Sequence, residues 1–240
     1  MKMKHKAVWT LAVVLFCFIF FSCKKQAQIN TTPIGNTLID TPHFNNVLIF
    51  GNSITWAPPN ASLGWYGNWG MAATNIDSDY VHLLTAKLQK INPNCKVTTV
   101  SSYAWELEYD TVGKYDIPTN LASYKALKPD LVIFRIGEDV LQNPLDTADF
   151  GAHYRALVSY LNQGETMLAV GSFWPRPVTD VVMKNNTSNF ITLTNLGTDL
   201  SNYSYNLWSN PSLQQHPNNK GHRLIADSIW HAILRLKVKN

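Results

Sequence analysis

An α/β domain of three layers, with helices on both faces of a parallel five-stranded sheet, is the fold that this sequence predicts on three observations. Short apolar runs alternate with amphipathic segments from about position 46 to the end, the order that strand–helix–strand crossovers produce. Two of those runs, Val47-Leu48-Ile49-Phe50 and Leu131-Val132-Ile133-Phe134-Arg135-Ile136, are nearly continuous rather than alternating, as strands covered on both faces are. The chain has 240 residues, 45% of them hydrophobic, enough for one domain with a sizeable core.

Taken in order, residues 1–22 stand apart. Met1-Lys2-Met3-Lys4-His5-Lys6 is a basic leader, and Ala7 to Phe21 is an apolar run too short for a comfortable membrane span, so the segment reads as a signal peptide. It ends in Phe20-Phe21-Ser22-Cys23, which resembles a bacterial lipoprotein cleavage box and implies lipidation of Cys23, a membrane anchor and a cell-envelope location. The segment carries three lysines and no acid, so its removal takes the formal charge from +4 to +1. A charge that small gives nucleic acid no electrostatic hold. Cys17 leaves with the signal, and Cys95 becomes the one free thiol, without a disulfide partner. Residues 23–45, rich in Gln, Asn, Thr and Pro, read as a tether, and the domain spans 46–240.

Asn46 to Phe50 is the first strand. Trp56 to Asp79 is a long loop holding Pro58-Pro59, a length that usually accompanies function. Asp79 to Leu88 predicts a helix capped by Asp79, with Val81, Leu84 and Leu88 on one face. The β-branched Lys96 to Val100 is the second strand, Asn120 to Lys128 a helix, and Leu131 to Ile136 the central third strand. Asp149 to Gln163 predicts a helix, Met167 to Val170 the fourth strand, Phe190 to Leu193 the fifth, and Lys220 to Leu236 the closing helix.

The first strand breaks off into Gly51-Asn52-Ser53-Ile54-Thr55, which sets a serine hydroxyl in a tight turn at a strand's carboxyl end, where open α/β sheets bind ligands. A serine is a weak nucleophile near neutral pH and needs an imidazole within reach. Of seven histidines, His5 and His43 precede the domain, and His82, His153 and His231 fall within predicted helices. His222 lies on the last helix, six residues after His216. His216, in the loop His216-Pro217-Asn218 before that helix, is the expected base.

Together these blocks resemble the SGNH, or GDSL-type, hydrolase superfamily, whose fold is a flavodoxin-like α/β/α sandwich and whose members are serine esterases. Gly51 to Thr55 matches the Gly-Asp-Ser-[Ile/Leu]-Thr block with Asn52 for the aspartate, and Gly137-Glu138-Asp139 stands where Gly-x-Asn follows the third strand. His216-Pro217 matches the final Asp-x-x-His-Pro block with Leu213 in the acid's place. The resemblance implies Ser53 and His216 as catalytic residues. It also implies an oxyanion site from the N–H groups of Ser53 and Tyr103 with Asp139 at the third position. With Leu213 unable to orient His216, the orienting group is a backbone carbonyl, an acid elsewhere such as Asp180 or Asp199, or none. Asp139, where the family offers an asparagine amide, is protonated beside Glu138, points away, or slows the reaction.

Trp56, Trp65, Trp69, Trp105 and Trp174 all follow strands and so gather at one rim, where aromatic faces suit the C–H faces of sugars; Glu138 is grouped with them as a substrate-binding residue. The nearest match within the superfamily is the esterases that deacetylate glycans, so the expected substrate is an acylated carbohydrate. Neither cofactor nor metal is expected, since no His/Cys/Asp group has ligand spacing. Two other readings stand beside this one: a glycan-binding lipoprotein on an eroded hydrolase scaffold, suggested by Leu213 and Asp139, and a lipase or lysophospholipase.

Overall fold

A computed structural model describes residues 42–141 and 144–236 of the chain. The signal peptide, Cys23 and nearly all of the tether lie outside the described residues. Phe44 already belongs to the folded unit: it is 2% exposed and packs into the core two residues before the expected boundary.

The described residues form a parallel sheet of five strands: β1 (Asn46–Gly51), β2 (Lys96–Ser101), β3 (Leu131–Arg135), β4 (Thr166–Val170) and β5 (Phe190–Ile191). Their spatial order is β2-β1-β3-β4-β5, the flavodoxin-like order that the resemblance implies. Gly51 is in register with Ser101 on one side and Arg135 on the other, and Arg135 with Val170. All four strands therefore end at one level. Whatever follows Gly51, Ser101, Arg135 and Val170 stands on the same edge of the sheet.

The side-chain period of two divides the core cleanly. Val47, Ile49, Leu131, Ile133, Leu168 and Val170 face α1 (Tyr80–Ile91) and the closing helix. Leu48, Phe50, Val132, Phe134, Met167 and Ala169 face the other helices. Those are α2 (Tyr103–Glu108), α3 (Ile117–Lys125), α4 (Thr147–Leu161) and α5 (Pro177–Asn186). The short α6 (Thr194–Gly197) and α7 (Pro211–Gln214) lead into the closing helix α8 (Asn219–Ile233), whose Ile225, Ile229 and Ile233 are wholly buried. Each of those isoleucines contributes about 1.5–3 kcal/mol of burial. Cys95 is a buried core residue beside β2.

Three expected helices begin earlier than their apolar spacing indicates, because polar caps set the start. Asp116 caps α3 by accepting from Thr119 N with proline in the first turn, Asp146 caps α4, and Asn218 caps α8 by accepting from Gly221 N. The fifth strand stops at Ile191, two residues short of the expected end. α2 and α5 are additions; α5 leaves Val178 and Val181 half exposed, and this blurs the apolar periodicity that would announce it.

Candidate active site

β1 ends where only glycine fits. A Cβ at Gly51 would stand 2.0 Å from Thr55 Oγ1 and 3.0 Å from the Arg135 carbonyl, so a side chain there would push apart the turn and the neighbouring strand. The turn closes as Thr55 N and Trp56 N donate to Asn52 O at 2.8 and 3.1 Å, and Thr55 Oγ1 lies 2.7 Å from Tyr80 Oη. Ser53 is left half-buried at the tip, its Oγ 2.9 Å from His216 Nε2. An alcohol from the start of the domain and an imidazole from its end thus meet within hydrogen-bond distance.

The other ring nitrogen settles the tautomer. His216 Nδ1 is 2.7 Å from Ser212 O, a carbonyl that can only accept, so the proton sits on Nδ1 and Nε2 presents its lone pair to Ser53. Among the three orienting groups left open by the sequence, the structure has the backbone carbonyl. Asp180 instead accepts from Ser172 N and Oγ, and Asp199 accepts from Ser201 and Lys220. Leu213 turns away into an apolar cluster with Ala57, Trp65 and Met71. Burial, the main cause, pulls the His216 pKa down to about 4, with Arg135 and His222 adding repulsion and the Ser212 bond opposing them. The imidazole is accordingly neutral and able to accept a proton across the physiological range.

Beneath the turn lies a sealed polar lattice. Arg135 is fully buried; its Nη1 donates to Asn52 Oδ1 at 2.6 Å and its Nη2 to Glu138 Oε1 at 2.5 Å. Asn52 Nδ2 donates to Glu138 Oε2 at 2.7 Å, and Phe173 N donates to Glu138 Oε1 at 2.7 Å. Glu106 of α2 accepts from Gly137 N and Asp139 N at 2.7 and 2.9 Å, and its other oxygen meets Ser102 Oγ. Burial pushes Glu106 up to about 8, with Glu138 and Asp139 adding to the effect. The lattice ties β1, α2 and β3 together immediately below Ser53.

The backbone N–H groups of Ser53 and Tyr103 stand on the same edge. The Ser53 N–H has no hydrogen-bond partner among the described residues. Tyr103, at the first position of α2, holds its N–H only 3.4 Å from Ser101 Oγ, a long contact that a better acceptor would displace. Asp139 follows Glu138 at the tip of β3 and is partly buried. Its Oδ2 is sealed from solvent without a hydrogen-bond partner among the described residues, and its pKa is pushed up to about 6, first by burial and then by Glu138, against Arg135 and Arg176.

The expected aromatic rim divides. Trp174 is partly exposed and stands edge-on to the His216 ring, centroids 5.0 Å apart, anchored by Nε1 to Gln215 O at 2.7 Å. Trp56 and Trp69 are also partly exposed. Trp65 and Trp105 are not surface residues: at 0% and 1% exposure they belong to the core. Trp65 packs between Trp69 and Trp208 above Leu213, and Trp105 packs against Phe50, Tyr109 and Phe150. Glu138, 2% exposed and held by Arg135, Asn52 and Phe173, has no free face for a substrate and serves the lattice instead. Two tyrosines are more exposed than any of these tryptophans, Tyr66 at 75% and Tyr103 at 53%.

No family model matches the chain, and none of the curated proteins does. Solved structures are similar in fold. A two-domain esterase (CEX) active on acetylated mannans is 15% identical with a TM-score of 0.51, over 81% of this chain and 50% of that one. The chain thus spans about half of that protein. The psychrotrophic esterase EstA from Pseudoalteromonas sp. is 13% identical with a TM-score of 0.49, over 79% of this chain and 96% of that one. A GDSL-like lipase from Parabacteroides merdae is 16% identical with a TM-score of 0.49, over 83% and 99%. With its strand order, the chain shares a parallel α/β fold with the CEX esterase.

Proposed function

We propose that the chain is a carboxylic-ester hydrolase that removes acyl groups, acetyl foremost, from carbohydrate. The observation that supports it most is the 2.9 Å contact of Ser53 Oγ with a His216 Nε2 whose lone pair is fixed by the Ser212 carbonyl. Ser53 Oγ bonds to the ester carbonyl carbon as its proton passes to His216 Nε2. The C–O bond to the sugar then breaks, and the sugar oxygen takes that proton. Water adds to the acyl-enzyme by the same route, giving its proton to His216, and Ser53 recovers it as the carboxylic acid leaves. The N–H groups of Ser53 and Tyr103 hold the oxyanion in both steps.

Carbohydrate is favoured by the aromatic surface around the pair, Trp174 above all, since a flat ring offers broad contact to a sugar face. The CEX esterase of similar fold is described as active on acetylated mannans. Lipidation at Cys23 and a place in the bacterial cell envelope are parts of the same proposal, resting on Ser22-Cys23 and the leader before it. A glycan binder without turnover is the reading that an ionised Asp139 favours.

The test is covalent. The full chain should take up a fluorophosphonate at Ser53 and hydrolyse p-nitrophenyl acetate and acetylated oligosaccharides, and Ser53→Ala should do neither. Undiminished turnover in Ser53→Ala sinks the assignment, and sugar affinity without labelling favours the binder. Trp174→Ala should raise KM for acetylated oligosaccharide about tenfold while changing KM for p-nitrophenyl acetate little, because only the sugar substrate needs the ring. Equal KM changes on both substrates would take Trp174 out of the sugar site.

A further inference from the structure

Resting on the esterase reading, we propose that His222 is a positioning residue: through the Met71 carbonyl it holds the main chain of Ser53 and so aims the serine hydroxyl at His216. His222 is wholly buried on α8, with both ring nitrogens engaged. Tyr80 N can only donate, and it donates to Nδ1 at 3.3 Å. Met71 O can only accept, so Nε2 carries the proton and donates to it at 3.1 Å. The ring also stacks on Tyr80, with centroids 6.3 Å apart and planes 12° apart. An apolar ring would serve packing alone at lower cost, since a buried imidazole has to find a partner for each nitrogen.

The bond to Met71 reaches the turn at the end of β1. Met71 N donates to Ser53 O at 2.9 Å, and Ile54 N, the other edge of the same peptide plane, donates to Asn52 Oδ1 at 3.3 Å. A peptide plane is rigid, so pinning both edges restricts the ψ of Ser53 and with it the direction of Cβ and Oγ. His222 thus joins the helix that follows His216 to the main chain of the serine that His216 touches. The loop in between is held firmly. Each residue from Gly70 to Ala73 has a main-chain group bound by a side chain: Gly70 N by Asp79, Met71 O by His222, Ala72 O by Trp208 and Ala73 O by Trp69. Ala72 is buried with a φ of 69°, the left-handed region that a residue with a Cβ enters only when its surroundings force it there. A Cβ at Gly70 would stand 2.9 Å from His222 Cε1, so the ring is wedged against this loop.

Three variants of the full chain separate positioning from packing. His222→Phe keeps a ring and loses both bonds. His222→Gln puts an amide nitrogen where Nε2 stands and can still donate to Met71 O, whereas His222→Asn has the same chemistry on a side chain too short to reach it. On p-nitrophenyl acetate, His222→Phe should lower kcat about 100-fold with KM unchanged, the cost of misplacing a reacting group by about 1 Å. Fluorophosphonate labelling of Ser53 should slow by the same factor. His222→Gln should recover most of that loss and His222→Asn little of it, and this pair decides alone should His222→Phe fail to fold. Equal losses in the Gln and Asn variants, or wild-type kcat in His222→Phe, remove the positioning role while labelling of the wild type keeps the esterase reading. Wild-type protein that neither hydrolyses the ester nor takes the label removes both.

A second measurement is independent of turnover. In folded Ser53→Ala protein, which keeps the carbonyl at position 53, the Met71 amide should exchange slowly with deuterium. Adding His222→Phe should speed that exchange about tenfold or more and leave the Ile229 amide of α8 unchanged. A Met71 amide that exchanges alike in both proteins, or an Ile229 amide that speeds up as much, overturns the proposal.

Discussion

His216→Ala will lower kcat on p-nitrophenyl acetate by about 10⁴-fold, with the far-ultraviolet circular dichroism unchanged. The magnitude follows from what stands on each side of the ring. In a serine hydrolase with a complete triad, removal of the histidine costs about 10⁶-fold in kcat, and loss of the acid alone costs about 10⁴ to 10⁵. Had His216 no orienting partner, little catalysis would be left for its removal to abolish, and the loss would be near 10²-fold. Ser212 O supplies one of the acid's two services: it holds the proton on Nδ1 and the ring in place at 2.7 Å. It brings no negative charge to stabilise the imidazolium, so the expected loss lies between those limits. Stopped-flow kinetics on the two proteins read the difference, and a ratio of 10²-fold or less would mean that the carbonyl does not organise the base.

Arg135→Ala will cost about 3–5 kcal/mol of folding stability, because it leaves Glu138 charged and 2% exposed without its counter-ion. For a domain of this size that corresponds to a fall of about 10 °C in Tm. Combining it with Glu138→Gln should recover part of the loss, since the amide removes the stranded charge while its oxygen still accepts from Phe173 N. A double variant as unstable as the sum of the two single ones would show that the pair is not coupled. Thermal melts of the four proteins supply the cycle. Activity should fall further than stability explains, because Arg135 also holds Asn52, the residue before Ser53.

The parts of this site carried by local pattern were legible in the sequence. A buried strand breaking at Gly51-Asn52-Ser53 and a His-Pro loop before an amphipathic helix were enough to pair Ser53 with His216. The parts made by distant or main-chain groups were not. Ser212 acts through its carbonyl, which every residue has. Arg135 reads as one polar residue in an apolar strand, and nothing near it names Asn52 as its partner. The tryptophans show a different limit: a loop tryptophan serves equally to cap a core or to face a ligand, and Trp65 and Trp105 are buried by Trp208, Leu213, Phe50 and Phe150, all far from them in the chain. α2 escaped notice because it is a single turn and a half whose Trp105 and Glu106 point inward for opposite reasons, one to pack and one to bind backbone.

Leu213 closes a route that one codon change otherwise leaves open. An aspartate written there would not hand the imidazole a negative neighbour; it would lodge beside Trp65, Ala57 and Met71, in an apolar cluster where a charge is costly to bury. Placing an acid beside His216 from this position would therefore require the Pro211–Gln214 turn to be re-pitched, and with it the edge-to-face indoles packed against Leu213.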